Sequence, residues 1–420
     1  MKLLLSIVLI ALIALIGSRL TFFSRRLTMG LKNIIFTGTE YIFLGVVLGG
    51  YGLNLLDSET LIKLEPFLFF GLSWIGFLFG LQFEVKHLKA LPRRYFSITA
   101  IQSSIVFVFV SFVSWYFFKR FSLIPENLLL LASITLGSAA SCTAQSAIAI
   151  VSHNFRIENK GLLGLMRYMS SVDGLFALLF FAAALCILPC GGFVDLGFFK
   201  SAGWLVMSIS MGVLPAFVLI FLSRTRFTQQ EYMVFLIGII MFCGGLAERL
   251  NYSSLVAGLV CGIVTANFCP HRLRALSIVV HAEKSIYIAL LILLGAGWNF
   301  RLDAVLIVSV IYFVSRLIAK IVGVFTATRI FKPKYVVPPQ LGLGMISEGG
   351  LAVAIIINSS LLYPALSDVL ITIIVLSVIV NEYISPALIV KQLGEVLHFA
   401  DDKFQAVKKR EVEKINNQDI

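Results

Sequence analysis

Long apolar runs alternate with short polar segments along almost the whole chain. A helix needs about 20 predominantly apolar residues to cross a bilayer, and most of the runs have that length. The short, strictly alternating segments of a transmembrane barrel do not occur in the sequence. The pattern therefore predicts an all-α integral membrane protein with about 13 transmembrane helices. The predicted spans are residues 2–17, 38–56, 64–83, 95–118, 127–152, 161–189, 199–223, 230–249, 253–268, 279–298, 302–327, 335–361 and 365–391.

The first run, "MKLLLSIVLIALIALIG", has the basic start and the apolar stretch of a signal peptide. A signal peptide would be followed by a small-residue cleavage site, and no convincing one follows here. We therefore interpret this run as the first membrane helix. The remaining runs follow without a long linker, so residues 1–397 are predicted to form a single transmembrane domain, and residues 398–420 a short cytoplasmic tail.

Composition supports the membrane interpretation, because 59% of the residues are hydrophobic and only 13% are charged. About a quarter of residues are charged in an ordinary soluble domain. The net charge of +12 is compatible with nucleic-acid binding, but the basic residues cluster between apolar runs, where the positive-inside rule places them. We predict a lipid bilayer and no nucleic acid as partners. The six cysteines show neither metal-ligand spacing nor a disulfide framework, and no cofactor is predicted.

The distribution of lysine and arginine predicts the orientation. Twenty-four basic residues fall in or near loops after odd-numbered spans or in or near the C-terminal tail, and seven fall at or near the opposite side. Because basic residues accumulate in cytoplasmic loops, the C-terminus is predicted in the cytoplasm and the N-terminus outside. A multi-pass protein of a bacterial inner membrane fits this pattern.

Two spans contain interruptions rich in small and polar residues. They read "GSAASCTAQS" (137–146) and "GLGMISEGG" (342–350), and they lie seven spans apart. An odd offset inverts the topology, so paired interruptions predict inverted repeats with a binding site at the breaks. Glycines four residues apart recur at the same offset, in "GVVLGG" (45–50) and "GLVCG" (258–262), and such spacing allows close helix contact.

Asp173 is the main candidate for chemistry, because it lies inside the apolar stretch "MRYMSSVDGLFALLFFAAALCI" (166–187). A carboxylate at the centre of a bilayer costs about 3 kcal/mol, so it marks a functional site by default. Such a group can hold a cation or a proton but not both at once, which would couple the two. The alternative is a structural acid paired within the fold. Arg167 is one conceivable partner, although it lies nearer the cytoplasmic end.

Two basic residues lie deep in the eleventh predicted span, in "RLIAKIVGVF" (316–325). A lysine near the middle of the membrane needs an anionic partner, and Asp173 is the natural candidate for Lys320. Snorkelling to the surface is the alternative, and it is more credible for Arg316. Glu382 and Glu248 are secondary candidates. The predicted ion- or proton-binding residues are Asp173, Thr143, Ser141, Gln145 and Glu348, with Lys320 and Arg316 compensating charge.

The order of several motifs resembles the cation/proton antiporter superfamily over roughly residues 38–395. These motifs are "LAERLNYSSLVAGLVCGIVTANF" (246–268), "GLSWIGFLFGLQFEVKHLK" (71–89), "RLIAKIVGVFTATR" (316–329), "EGGLAVAI" (348–355) and "SPALIVKQL" (385–393). The resemblance implies a sodium/proton antiporter-type fold with two discontinuous crossing helices. It also implies core helices at about 95–189 and 302–391 that move against dimerisation helices at about 2–83 and 230–298.

By the same resemblance, Asp173 falls at the ion- and proton-carrying aspartate, Thr143 at the threonine of the first broken helix and Lys320 at the basic residue before the second. Exchange of Na⁺, Li⁺ or K⁺ for H⁺ by alternating access and a homodimer are then expected. The sequence departs from the family in having Val172 before Asp173 and "TAQ" at 143–145. Glu348 stands where arginine or glutamine is usual and could supply a compensating carboxylate.

Three other functions stay open at this point. A potassium-efflux-type cation pathway would pass ions without obligate proton exchange. A sodium-coupled organic-anion symporter could use a similar crossed-helix core, with Arg316 or Lys320 holding the anion. A membrane scaffold would not need Asp173 or Lys320. An enzyme is not predicted, because no nucleophile–base pair stands out.

Overall fold

A computed structural model describes residues 2–20, 38–86, 93–157, 160–187, 200–224, 228–300, 304–333, 337–393 and 396–398. Within these ranges the chain is almost entirely helical, as the sequence predicts, and each predicted span contains a helix or a broken pair. Eight helical segments there are long and apolar enough to cross a membrane. The α-helices are α1 (Lys2–Leu20), α2 (Glu40–Leu48), α3 (Ser58–Leu81), α4 (Arg93–Phe121), α5 (Leu129–Ser141), α6 (Gln145–Asn154), α7 (Lys160–Ile187), α8 (Lys200–Leu222), α9 (Gln229–Arg249), α10 (Ser254–Phe268), α11 (Arg272–Ala296), α12 (Ala304–Phe331), α13 (Gly350–Leu362) and α14 (Ser367–Leu393).

Side-chain caps set where several of these helices begin. Asp57 accepts a hydrogen bond from the backbone amide of Thr60 at 2.9 Å and starts α3. Ser253 caps α10 in the same way, through the amide of Val256. Helix α9 opens on a capping box, in which Thr228 and Glu231 bond each other's backbone amides. Each cap satisfies an amide that would otherwise lack a partner at the first turn.

Helix α2 is shorter than the predicted span 38–56, because it ends at Leu48. The chain then turns back on itself, and the amide of Leu53 bonds the carbonyl of Val47 at 2.7 Å. Asn54 has a positive φ of 50°, a conformation that asparagine tolerates better than most residues. Glycines 49, 50 and 52 lower the helix propensity here, which the hydrophobic pattern alone does not show.

Both interruptions that the sequence predicts are present. Helices α5 and α6 are separated by residues 142–144, where Cys142 is extended with φ −76° and ψ 158°. A short 3-10 helix (Leu341–Met345) precedes α13, and residues 346–349 between them are not helical. Each break lies inside the stretch of small and polar residues that predicted it. The breaks leave backbone groups that need partners inside the protein.

The helices pack in two groups. One group contains α4, α5, α6, α7, α12 and α14 together with α13, and the other contains α1, α2, α3, α8, α9, α10 and α11. Contacts between the groups are sparse, and α13 makes several of them with α3 and α10. This grouping is compatible with a core and a dimerisation domain, which stays a prediction.

Close backbone contact joins α3 and α10. A Cβ added at Gly76 would overlap the carbonyl of Leu255, and one added at Gly262 would overlap the carbonyl of Phe77. Gly80 and Gly262 pack directly against each other. The glycine spacing in α10 thus has the packing role that the sequence suggested, and no side-chain layer separates these two helices.

A small antiparallel ribbon lies at one end of the molecule. Its strands, β1 (Phe155–Ile157) and β2 (Val396–His398), follow α6 and α14, and Phe155 pairs with His398. The ribbon puts the end of α6 and the end of α14 on the same side. The sequence predicts that this side faces the cytoplasm, which stays a prediction, and the predicted tail beyond His398 lies outside the described residues.

Candidate functional site

The two breaks meet in the interior of the protein. The amide of Ala144 in the first break donates a hydrogen bond to the carbonyl of Ser347 in the second, at 3.0 Å. Gly349 lies against the side chain of Ala144, so closely that an added Cβ would clash. Segments about 200 residues apart in sequence therefore form one junction, as expected where broken helices build a binding site.

Arg316 on α12 donates hydrogen bonds to both sides of this junction. Its Nε donates to the carbonyl of Ala140 at 3.1 Å, and one terminal nitrogen donates to the carbonyl of Cys142 at 2.9 Å. On the second break the guanidinium donates to the carbonyls of Ile346 and Ser347. The side chain is only 1% exposed. Arg316 therefore does not snorkel, and it satisfies carbonyls that the breaks remove from helical hydrogen bonding.

Asp173 lies on α7 and is fully buried. The first break holds its carboxylate, because the Thr143 amide donates to Oδ1 at 3.2 Å and the Thr143 hydroxyl donates to Oδ2 at 2.6 Å. The Thr143 hydroxyl also lies 3.3 Å from the carbonyl of Met345 before the second break. The structure thus places the predicted aspartate and the predicted threonine in direct contact, next to both breaks.

Lys320 on α12 completes the cluster around Asp173. Its Nζ donates to the carbonyl of Ser141 at 2.7 Å and to the Thr143 hydroxyl at 2.9 Å, and it lies 3.5 Å from Asp173 Oδ2. Lys320 and Asp173 are both fully buried. Lone buried charges are very unfavourable, so the two groups stabilise each other. Asp173, which the sequence suggested as the partner of Lys320, therefore lies beside it.

The predicted ligand Glu348 lies on the other side of Arg316. Its Oε1 accepts a hydrogen bond from the Tyr312 hydroxyl at 2.7 Å and lies 3.5 Å from Arg316 Nε. Its Oε2 accepts from the Ser377 hydroxyl at 2.6 Å and from the Asn381 amide at 2.9 Å. This network balances the charge of Arg316, whereas Asp173 is held by Thr143 and Lys320. The geometry favours a counter-ion over a ligand of a transported ion.

The two remaining predicted ligands, Ser141 and Gln145, contribute differently. Ser141 offers its backbone carbonyl to Lys320, while its hydroxyl donates to the carbonyl of Ser138 at 2.8 Å. Gln145 opens α6 and is exposed. Arg167, considered as a partner for Asp173, is also exposed and donates to the hydroxyl of Ser152 at 2.7 Å.

A cavity of about 390 Å³ leads to the first break. It lies between the two helix groups, and its walls include Thr143 and Gln145 from one group and Glu283, Lys284 and Tyr287 on α11 from the other. Gly174, next to Asp173 in the chain, also lines it. Water in this cavity can approach Thr143, while Asp173 itself is sealed behind the break.

The two secondary candidates, Glu248 and Glu382, lie in different parts of the protein. Glu248 lines a separate cavity of about 560 Å³ together with Glu65 and Tyr252, near the ends of α9 and α13. Glu382 on α14 is fully buried and accepts a hydrogen bond from the Ser347 hydroxyl at 2.8 Å. Glu382 therefore belongs to the junction, and Glu248 does not.

Sequence reasoning missed Tyr312, Ser377 and Asn381, which hydrogen-bond Glu348, the carboxylate beside Arg316. Tyr312, Arg316 and Lys320 follow each other at intervals of four residues in α12, which places them on one face of the helix. Ser377 and Asn381 have the same spacing in α14, and the Asn381 amide also donates to Ser377. Polar residues repeated at helical spacing within an apolar span were the available signal.

Comparison with known proteins gives a consistent picture of the fold. A family model described as "Sodium/hydrogen exchanger, transmembrane" matches residues 5–390. One similar solved structure is the sodium proton antiporter MjNhaP1 from Methanocaldococcus jannaschii at pH 8, with a TM-score of 0.64, 17% identity and coverage of 94% of this chain and 100% of that one. An electron-microscopy structure of the same antiporter gives a TM-score of 0.58, 16% identity and coverage of 94% and 97%. None of the curated proteins matches this chain.

Proposed function

Because the chain belongs to the sodium/hydrogen exchanger family, we propose that this multi-pass membrane protein exchanges a monovalent cation for H⁺, with Asp173 as the group that carries both. The contact that supports this proposal most directly is the one between Asp173 and Lys320, 3.5 Å apart and fully buried at the junction of the two breaks.

Asp173 has three mutually exclusive partners in this mechanism. In the arrangement observed, the Lys320 ammonium balances its charge. A proton can neutralise the carboxylate instead, or a cation can bind it and displace the ammonium. The Thr143 hydroxyl contacts this carboxylate, the carbonyl of Ser141 accepts from Lys320, and the carbonyl of Met345 lies 3.3 Å from the Thr143 hydroxyl. These groups supply the oxygen ligands that Na⁺, Li⁺ and K⁺ prefer. Because one charge serves all three partners, binding of one releases another.

The cavity beside Thr143 provides access from one side. Its wall includes Gln82 at the end of α3 and Ala149 in the middle of α6, and the basic residues that follow these two helices place their ends toward the cytoplasm. The arrangement therefore corresponds to an inward-facing state. Arg316 and the Ala144–Ser347 hydrogen bond link the breaks, so α5, α6 and α13 move together against α3 and α11 to expose Asp173 on the other side.

The orientation and the oligomeric state belong to the same proposal. The C-terminus lies in the cytoplasm of a bacterial cell, the N-terminus lies outside, and two copies associate through helices of the group that contains α1–α3 and α9–α11. Green fluorescent protein fused after Ile420 should fluoresce, whereas alkaline phosphatase at the same position should be inactive. Native mass spectrometry of the purified protein should show a dimer.

Transport is tested with the purified protein in proteoliposomes that contain a pH-sensitive dye. Addition of Na⁺, Li⁺ or K⁺ should move protons across the membrane faster than they leak passively. Asp173→Asn should abolish this cation-dependent proton movement. Glu59→Gln is the matched control, because Glu59 is exposed and pairs with Lys63 at the start of α3. The control should keep wild-type rates.

Other outcomes would contradict antiport or indicate a different transport function. Absence of a cation-dependent pH change in the wild type across all three cations would refute antiport. Cation current without proton movement, under a clamped voltage, would indicate a cation pathway. Proton-independent, sodium-dependent uptake of a labelled organic acid would indicate a symporter.

A further inference from the structure

A second hydroxyl–carboxylate pair repeats the geometry around Asp173. In the first break the Thr143 hydroxyl donates to Asp173 at 2.6 Å, and in the second the Ser347 hydroxyl donates to Glu382 at 2.8 Å. Each donor lies in a chain break, and each acceptor lies on the long helix that follows that break, α7 or α14. Asp173 and Glu382 are both fully buried. The two breaks therefore carry matching acid sites.

The Glu382 site is connected to the same junction. The carbonyl of Ser347 accepts hydrogen bonds from the amide of Ala144 and from Arg316, while its hydroxyl reaches Glu382. Ser347 thus contacts Ala144 in the first break, Arg316, and the second acid, Glu382. A movement that exposes Asp173 to one side or the other moves the partner of Glu382 as well.

Tyr287 on α11 lines the cavity and lies next to the second break. Its ring lines the cavity together with Glu283, and it packs on Gly350, where an added Cβ would lie 2.8 Å from the ring. A phenolic hydroxyl can donate and accept a hydrogen bond, so it can relay a proton. It cannot pass a metal ion.

We propose that Glu382 is a second proton-binding carboxylate, which loads and releases one H⁺ in each transport cycle through Tyr287 and Ser347. The proposal rests on the antiport function above. The charged residues at the junction are Arg316 and Lys320 from α12, Glu348 from the second break and Asp173 from α7. Glu283 and Lys284 line the cavity from α11. In the inward-facing state the Glu382 carboxyl exchanges its proton with water in the cavity. In the opposite state the proton leaves on the other side.

The proposal predicts the number of protons exchanged for each cation. Asp173 accounts for the competition between cation and proton, and Glu382 adds one proton to the total. Net flux stops when the cation gradient balances the proton gradient. At zero membrane voltage and a pH difference of one unit, each proton exchanged per cation changes that balancing cation gradient about tenfold. Glu382→Gln keeps the shape and polarity of the side chain but removes its titration. The variant should therefore stop at a cation gradient about tenfold smaller than the wild type.

The measurement uses proteoliposomes at zero voltage, set with valinomycin and equal K⁺, with Na⁺ or Li⁺ as the transported cation. Glu59→Gln is the matched control and should stop at the wild-type gradient. An unchanged gradient in Glu382→Gln refutes the proposal. Activity of the wild type and its loss in Asp173→Asn test the antiport function separately, so the two failures can be told apart.

A second measurement decides the case in which Glu382→Gln is folded but does not transport. Cation binding to the detergent-purified protein releases protons, which can be counted in weakly buffered solution together with the cations bound. One proton fewer for each cation in the variant supports the proposal, and an equal number refutes it. Glu382→Asp should restore the wild-type proton count, because it returns a titratable group to the site.

Discussion

The Lys320 ammonium lies 3.5 Å from the Asp173 carboxylate, and both side chains are fully buried. Neither charge has bulk water as an alternative partner, so the stability of each depends on the other. Thr143 contacts both groups, with its hydroxyl 2.6 Å from Asp173 and 2.9 Å from Lys320. This three-residue contact gives the first two predictions below.

Replacing Lys320 with Met should destabilise the protein through Asp173. Loss of the ammonium leaves a buried carboxylate without its counter-charge, at a cost of about 3 kcal/mol. The double variant Asp173→Asn/Lys320→Met should regain most of that loss, because no unpaired charge remains. Thermal unfolding of the four proteins in detergent measures the coupling. Additive losses in the double variant would show that the pair does not interact energetically.

Protons should compete with the transported cation. If both bind Asp173, the apparent KM for the cation rises about tenfold for each unit by which the pH falls, in the range where the proton occupies the site. The maximal rate at saturating cation should change much less. Proteoliposome transport at several pH values provides the measurement. A constant KM with a falling maximal rate would instead place the proton and the cation on separate groups.

Arg316→Lys should fail to replace the native residue. A guanidinium reaches four carbonyls on both breaks with fixed geometry, whereas a single ammonium cannot serve both segments. We expect loss of transport and a destabilisation of about 3 kcal/mol, comparable to breaking a buried charged network. Arg167→Lys is the matched control, because Arg167 is exposed in the first third of α7. Wild-type unfolding and transport in Arg316→Lys would rule out the bridging role.

The glycine contact between α3 and α10 should not tolerate a side chain. Gly262→Leu would force apart backbones that touch at Phe77 and Gly80, with an overpacking cost of about 3 kcal/mol. Gly238→Leu on α9 is the control, because nothing lies within 4 Å of a Cβ added there. Unfolding temperatures of the two variants should differ clearly. Equal temperatures would mean that the α3–α10 contact adjusts without penalty.

The sequence predicted the parts of the site that are energetically unusual in a bilayer. Asp173 and Lys320 stand out as charges in apolar runs, and small and polar residues mark both breaks. The helix count followed from the length of the runs. These features depend on local composition, which the chain displays directly.

The sequence could not predict how distant segments share partners. Arg316 was expected to compensate charge or to snorkel, because no pattern reveals which backbone carbonyls will surround it. Glu348 was expected to bind an ion or to supply a compensating carboxylate, and no sequence pattern shows that Tyr312, Ser377 and Asn381 would be its hydrogen-bond donors. The end of α2 at Leu48 was also not predicted, because the apolar run continues beyond the glycines at which the helix stops.

The hydrogen bond from Ala144 to Ser347 has a consequence for biosynthesis. Helices α5 and α6 are synthesised about 200 residues before the second break, yet the carbonyls of Ala140 and Cys142 depend on Arg316, and the amide of Ala144 depends on Ser347. Until α12 and α13 are inserted, those groups need temporary partners such as water or translocation machinery. The first break therefore reaches its final conformation only when the last quarter of the polypeptide has entered the membrane, so truncated chains should remain open to degradation at that point.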